Sequence, residues 1–290
     1  MIRLGGYGLP VASDDPVAFA RAHAAFGYGA AYVPSSLTMA DSKLLAAWER
    51  AFDAENVMLA EIGIWRNLVT PDEAERAANL AFAAEKLAVA DAVGARTAVS
   101  YIGSLAPGAA YYESVRANFE PEGFEAAVTT CRRIIDEVKP KRAKLSLEMM
   151  QYSLPDSVDG YLELIRAVDR PAFGAHLDPV NLVMTPRTYW NNAALMRECF
   201  DKLGPWLTSC HAKDVVNVHH TASLEFAEVQ IGEGVLDYRT YLRELARLPA
   251  EVPLMLEHLE DAEYATARDR IFAVGDEIGV RFTNRETVAA

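Results

Sequence analysis

Four short apolar runs each carry a side chain able to bind a metal: Glu148 in AKLSLEMM, Asp178 in FGAHLDP, His211 in LTSCHAKD and Glu257 in PLMLEHL. The intervals 148–178, 178–211 and 211–257 are each long enough for one helix and two loops. Three carboxylates and one imidazole delivered by four successive strands point to a divalent-metal site at one end of a parallel barrel. Three ionised carboxylates meeting in a barrel mouth would repel one another and raise their pKa values, and a divalent cation resolves that conflict. The oxygen-rich set with one imidazole favours Mn²⁺, with Mg²⁺, Co²⁺ or Zn²⁺ as alternatives. Taken singly, each residue has a plainer reading: Asp178, before Pro179, as a helix cap, and His211 as a hydrogen-bonded core histidine.

The elements that must position these groups are legible in the hydrophobic pattern. Strand-like runs fall at about 1–7, 28–33, 56–64, 95–102, 143–150, 172–178, 206–212 and 252–258. Amphipathic helical patterns lie between them, at roughly 14–26, 38–54, 71–93, 121–138, 156–168, 188–203, 237–248 and 261–278. The third is the clearest, with Thr70 as its expected N-cap, Pro71 in the first turn and Gly94 beyond the end. Strict alternation requires parallel strands with helical crossovers, and eight units in this length fit one closed (β/α)8 TIM barrel spanning residues 1–290. The segments 103–120 and 214–236 read as loops on the functional face. Neither GxGxxG after the first strand nor a phosphate-binding GxxxxGK occurs, and the GEG at 232–234 is a loop turn.

Side-chain alternation within each strand selects what points inward. Ser146 and Glu148 share one face, as do Gly174, His176 and Asp178; Ser209, His211 and Lys213; and Met255 with Glu257. Cys210 points away from the face of His211. The three cysteines, Cys131, Cys199 and Cys210, read as packed thiols of a reducing compartment. A net charge of −13 argues against nucleic acid, and no basic run supports a membrane surface. MIRLGGYGLP shows no leader pattern, so a cytoplasmic location is expected.

These residues resemble a known family. AEIGIWRNL at 60–68, Glu148, HLDPVNL at 176–182, HAKD at 211–214, IGEGVLDY at 231–238 and LMLEH at 254–258 are together similar to the xylose isomerase-like barrels of the sugar phosphate isomerase/epimerase group. The resemblance implies that Glu148, Asp178, His211 and Glu257 bind one metal. It also implies that Glu148 and Glu257 serve as an acid–base pair on opposite faces of a sugar, keto-sugar or polyol, and that the chain forms a dimer or tetramer. A metal chelated by adjacent oxygens of a hydroxy-ketone acidifies the C–H between them, and positioned carboxylates move that proton through an enediolate, giving isomerisation or epimerisation. β-Elimination uses the same enediolate, so a dehydratase (lyase) acting on an inosose-like or keto-glycoside substrate is the alternative. Phosphodiester cleavage like that of endonuclease IV needs more histidines and a basic face, and a non-catalytic sugar-binding barrel needs a lost ligand.

The sequence departs from the ketose 3-epimerases of that group, which carry a His where Asn181 stands and an Arg where Asn217 stands. HAKD is closer to the inosose dehydratase branch. Lys213 is expected either to donate to a substrate oxygen or to pair with Asp214 or a neighbouring strand's acid. Glu61, Trp65, Arg66 and Asn67 leave the third strand at the rim, with Trp65 stacking on a sugar or packing the rim and Arg66 binding an acidic group. Arg187, Tyr189 and Trp190 either line the pocket or begin a helix. His176 is either a partner below the metal or a core histidine, and His219 and His220 carry no expected role.

Overall fold

A parallel strand covered on both faces needs a short, largely apolar run. Such runs build the barrel in the computed structural model, which describes residues 1–9, 11, 14–108, 112–218 and 224–286. The strands are β1 (Arg3–Gly5), β2 (Ala30–Tyr32), β3 (Met58–Gly63), β4 (Thr97–Ser100), β5 (Lys144–Glu148), β6 (Phe173–Leu177), β7 (Leu207–Ala212), β8 (Asp214–Asn217), β9 (Phe226–Val229) and β10 (Pro253–Leu256). The helices are α1 (Pro16–Ala25), α2 (Ser42–Ala54), α3 (Glu73–Val93), α4 (Pro121–Val138), α5 (Val158–Val168), α6 (Pro186–Trp190), α7 (Asn192–Leu203), α8 (Tyr238–Ala246) and α9 (Tyr264–Ile278).

Strands β1 to β7 and β10 form one eight-stranded sheet in the order β1-β10-β7-β6-β5-β4-β3-β2, and every ladder in it is parallel. The seam between β1 and β2 is drawn together by the Gly29 N–H donating to the Leu4 carbonyl at 2.8 Å. Gly5 permits that approach, since a Cβ there would lie 2.5 Å from the Ala30 oxygen. Inside the barrel, Ala30, Ala60 and Met255 form a small buried plug with Tyr32 and Met58 against it. The larger core lies outside, between strands and helices. This is the (β/α)8 TIM barrel that the alternation predicts.

Three local expectations are corrected. The N-cap of α3 is Asp72, whose carboxylate accepts the Glu75 N–H at 2.9 Å, while the Thr70 hydroxyl turns to Glu75 Oε2. The helix expected over 188–203 is two, because at the join the Asn191 and Asn192 amides donate to the Arg187 and Tyr189 carbonyls at 2.8 Å and compete with the backbone. The segment 214–236, expected to be a loop, contains the antiparallel hairpin β8–β9. His219 and His220 lie outside the described residues. Among the described residues no helix is long and apolar enough to cross a membrane, and all three cysteines are free and buried.

Candidate metal centre and pocket

At the carboxyl ends of β5, β6, β7 and β10 the four strand-end side chains meet. One ligand atom each from Glu148, Asp178, His211 and Glu257 lies within 4.8 Å of all the others. His211 turns Nδ1 towards the carboxylates, 2.8 Å from Glu257 Oε1, 3.1 Å from Glu148 Oε1 and 3.9 Å from Asp178 Oδ2. Its other nitrogen, Nε2, donates to Glu61 Oε1 at 2.9 Å. The ring is thus held with Nδ1 facing the acids, the arrangement in which a carboxylate behind a histidine fixes its orientation for a metal.

Glu61 reaches that position through an irregularity in β3. Ala31 pairs with Leu59 but Tyr32 pairs with Glu61, so one extra residue is accommodated, and the Arg96 N–H is shared by the Leu59 and Ala60 carbonyls at 3.1 Å each. The bulge turns Glu61 into the barrel. Rather than standing at the rim, Glu61 is buried in the floor of the pocket, between His211 and His176, whose Nδ1 is 3.4 Å from Glu61 Oε2. His176 lies beneath the site, bonded to Ser209 Oγ at 2.7 Å. Glu61, His176 and His211 also make a second set of side chains close enough to share an ion.

Lys213 continues the inward face of β7 and is buried among the acids. Its Nζ lies 2.7 Å from Asp178 Oδ2, 2.5 Å from Glu257 Oε1 and 3.8 Å from Glu148 Oε1. These contacts are close but not directed: Asp178 Oδ2 and Glu257 Oε1 have no hydrogen-bond partner among the described residues, nor have Glu61 Oε2 and His176 Nε2. Buried oxygens in that condition, in a set of three carboxylates and one imidazole, fit a hard divalent cation.

Burial and charge act in opposite directions here. Burial pushes Glu148 above the usual carboxylate range, outweighing His211 and Lys213. Burial also raises Glu257, but the His211 and Lys213 charges prevail and hold it at about 2. Asp178 is held well below its usual range because Lys213 and His211 outweigh its burial. The acids return the effect: despite burial, Glu257 and Glu61 push His211 well up, and Asp178 and Glu257 do the same for Lys213. Asn181 steadies Glu148, its amide donating to Glu148 Oε1 at 3.3 Å and to the Met149 carbonyl at 3.1 Å.

Above the acids opens a cavity of about 1050 Å³. Glu61, Glu148, Trp65, Asn181, Lys213 and Glu257 all line it. Arg66, His176 and Arg187 do not. Arg66 lies over the Phe82 ring at 5.0 Å, on the flank of α3, and Arg187 is solvent-exposed in α6. Tyr189 is buried and accepts the Asn217 N–H at 3.2 Å, while Trp190 faces solvent. Residues without a strong strand-end signal complete the wall, notably Tyr7, Tyr32, Tyr101 and Tyr152, together with Glu228 from the hairpin.

A parallel barrel with acids and a histidine gathered at its carboxyl mouth defines a class of (β/α)8 proteins with a candidate metal site. The family model for the xylose isomerase-like TIM barrel matches residues 19–274, and the chain belongs to that family. No curated protein matches it in sequence. Among solved structures it is similar to a xylose isomerase-like TIM barrel protein from Mycobacterium smegmatis in complex with magnesium (TM-score 0.66, 19% identity, covering 99% of this chain and 98% of that one). It is similar to an L-ribulose 3-epimerase (TM-score 0.69, 14% identity, 96% of each chain). A third is a 3-keto-D-glucoside 4-epimerase from E. coli (TM-score 0.63, 13% identity, covering 95% of this chain and 100% of that one).

Proposed function

We propose that the chain is a divalent-metal-dependent isomerase or epimerase of a small sugar, keto-sugar or polyol, moving a proton through an enediolate. The observation that carries this reading is the convergence of four donor atoms within 4.8 Å, two of their oxygens ion-paired yet without a directed hydrogen bond among the described residues, at the base of a cavity large enough for a substrate. The sugar epimerases among proteins of similar fold support it. Glu148, Asp178, His211 and Glu257 would hold the ion, Mn²⁺ by preference, and His211 Nδ1 must then be unprotonated. When bound, such an ion polarises the oxygens of a hydroxy-ketone and so acidifies the C–H between them.

The chain's own groups do the rest. Glu148 and Glu257 both line the cavity, the two carboxylates placed for acid–base work on a bound substrate. One of them takes the proton from one face of the sugar, and the other returns one on the opposite face or to the neighbouring carbon. Asn181 keeps the Glu148 carboxylate turned towards the pocket, and Glu61 keeps His211 in register. A positioned acid or base of this kind contributes roughly 10²–10⁴-fold.

One observation favours a second reading. The buried Lys213 ammonium, 2.5 Å from Glu257 Oε1, is a proton donor that elimination needs at its leaving hydroxyl and epimerisation does not. The same site then serves a dehydratase of an inosose-like or keto-glycoside substrate. Incubating the Mn²⁺-loaded protein with keto-sugars in D₂O and following products by NMR separates the two. Deuterium at the exchanged carbon with all oxygens retained marks the isomerase, and loss of water marks the dehydratase. If the chelated protein is as active as the loaded one, or Glu148→Gln leaves turnover intact, both readings fall.

A further inference from the structure

The cavity is larger and more aromatic than one sugar ring requires. Its volume of about 1050 Å³ stands at the upper end of the roughly 300–1,000 Å³ typical of sites for drug-sized ligands. In its wall Tyr7 stacks on Tyr32, ring centroids 4.3 Å apart and 8° from parallel. Trp65, also in the wall, lies 5.9 Å from Tyr101 and 6.3 Å from His211, ring centroid to ring centroid. Tyr7 and Trp65 keep 51% and 37% of their surface exposed, so each offers a free ring surface where it lines the cavity.

Holding Trp65 there is costly. Its φ of 46° is left-handed, a region that a bulky L-residue rarely enters. The indole also fits only because Gly63 lacks a side chain, since a Cβ there would lie 2.0 Å from Trp65 Nε1. Backbone strain retained in the wall of a pocket points to a use for the residue it places.

The charge pattern is equally selective. The basic side chains lining the cavity among the described residues are Lys213, held by Asp178 and Glu257; His23, whose Nδ1 donates to the Phe19 carbonyl; and His258, whose Nδ1 is 2.8 Å from Glu228 Oε2. Glu228 and Asp261 add further acids to the lining. No arginine lines it, and none of the residues outside the description is a Lys or Arg. A phosphate or carboxylate on the substrate would find no fork of donors and a surplus of negative charge.

We propose that this pocket takes an uncharged keto-sugar carrying a planar aromatic substituent, an aryl keto-glycoside in chemical class for which a plain aryl glucoside is the binding probe, and rejects sugar phosphates. The sugar ring lies on the acidic floor and the substituent lies against the aromatic wall that includes Trp65. The inference rests on the function proposed above for the identity of the floor as the sugar subsite.

The test is calorimetric binding to the Mn²⁺-loaded protein of phenyl β-D-glucoside, methyl β-D-glucoside and glucose 6-phosphate. The phenyl glucoside is expected to bind about tenfold or more tighter than the methyl glucoside, and the phosphate more weakly than either. Trp65→Ala should shrink the phenyl advantage to about threefold or less and Trp65→Phe should retain most of it, with metal content confirming the fold of each variant. Equal affinity for the two glucosides, a preference for the phosphate, a phenyl advantage unmoved by Trp65→Ala, or no binding by any probe would each overturn the inference. A protein that exchanges deuterium into a free keto-sugar yet shows no phenyl preference keeps the proposed reaction and loses the aryl subsite. A phenyl preference without exchange does the reverse.

Discussion

Replacing Lys213 by methionine keeps the length of a side chain that is only 5% exposed but removes its charge from between the acids. The ammonium lies 2.7 Å from Asp178 Oδ2 and 2.5 Å from Glu257 Oε1, so its loss leaves two buried carboxylates without their nearest counter-charge. Breaking a buried ion pair by removing one partner costs about 3–5 kcal/mol. Part of that is recovered here, because Glu148 is already raised by burial and the cluster can take up a proton. The net cost in chelated protein is therefore expected near the lower bound, about 3 kcal/mol, or a fall in Tm of roughly 6–12 °C. A divalent cation supplies the missing charge, so Mn²⁺ should raise the Tm of Lys213→Met by more than it raises that of the unaltered protein. Thermal melts of both proteins in EDTA and in Mn²⁺ measure all four values. If the variant melts within about 2 °C of the parent in EDTA, or if Mn²⁺ shifts the two equally, Lys213 is not the counter-charge of the cluster.

Two further outcomes follow from single contacts. Glu61→Gln removes the carboxylate that holds His211 Nε2 at 2.9 Å and should weaken Mn²⁺ binding about 10–100-fold in a competition titration against a chelating dye; an unchanged midpoint would mean His211 needs no such support. His23 is buried with its Nδ1–H donating to the Phe19 carbonyl at 2.8 Å, and burial pushes its pKa down to about 4 from 6.5. The folded state thus disfavours the proton that the unfolded chain binds, so this contribution is complete above about pH 6.5 and is lost as pH falls towards 4. Urea unfolding should show the protein losing about 2 kcal/mol more than His23→Phe between pH 7 and pH 5, and parallel losses would refute the assignment.

How much of this was legible in the sequence depends on whether a residue obeys strand alternation. Glu148, Asp178, His211 and Glu257 stand at or beside strand ends with regular inward parity, so their types and spacing placed them together. Glu61 did not, because the bulge at Leu59–Ala60 shifts its parity, and no single sequence marks a bulge that lacks a glycine. Arg66 sits next to Trp65 in sequence, yet the left-handed turn at Trp65 sends the indole over the pocket and the guanidinium to Phe82. The aromatic wall was unreadable for a different reason. Tyr7, Tyr101 and Tyr152 come from separate connections, and only closure of the barrel brings those connections to one mouth.

The segment HAKD shows how one strand divides its work between chemistry and support. His211 and Lys213 point into the barrel, so Ala212 and Asp214 must point out of it. Asp214 does not pair with Lys213, one of the partners its sequence neighbourhood suggested. Its buried carboxylate accepts the backbone N–H groups of Val215, Gly232, Gly234 and Leu236 at 2.8–3.1 Å. Gly234 is required there, because a Cβ would lie 2.1 Å from Asp214 Oδ1. The IGEG turn at 231–234 is therefore a strap fastened to Asp214. Since those four N–H groups satisfy Asp214, the ammonium one residue earlier is free to face Asp178 and Glu257. A turn some twenty residues downstream thus helps to place the lysine of the candidate metal centre.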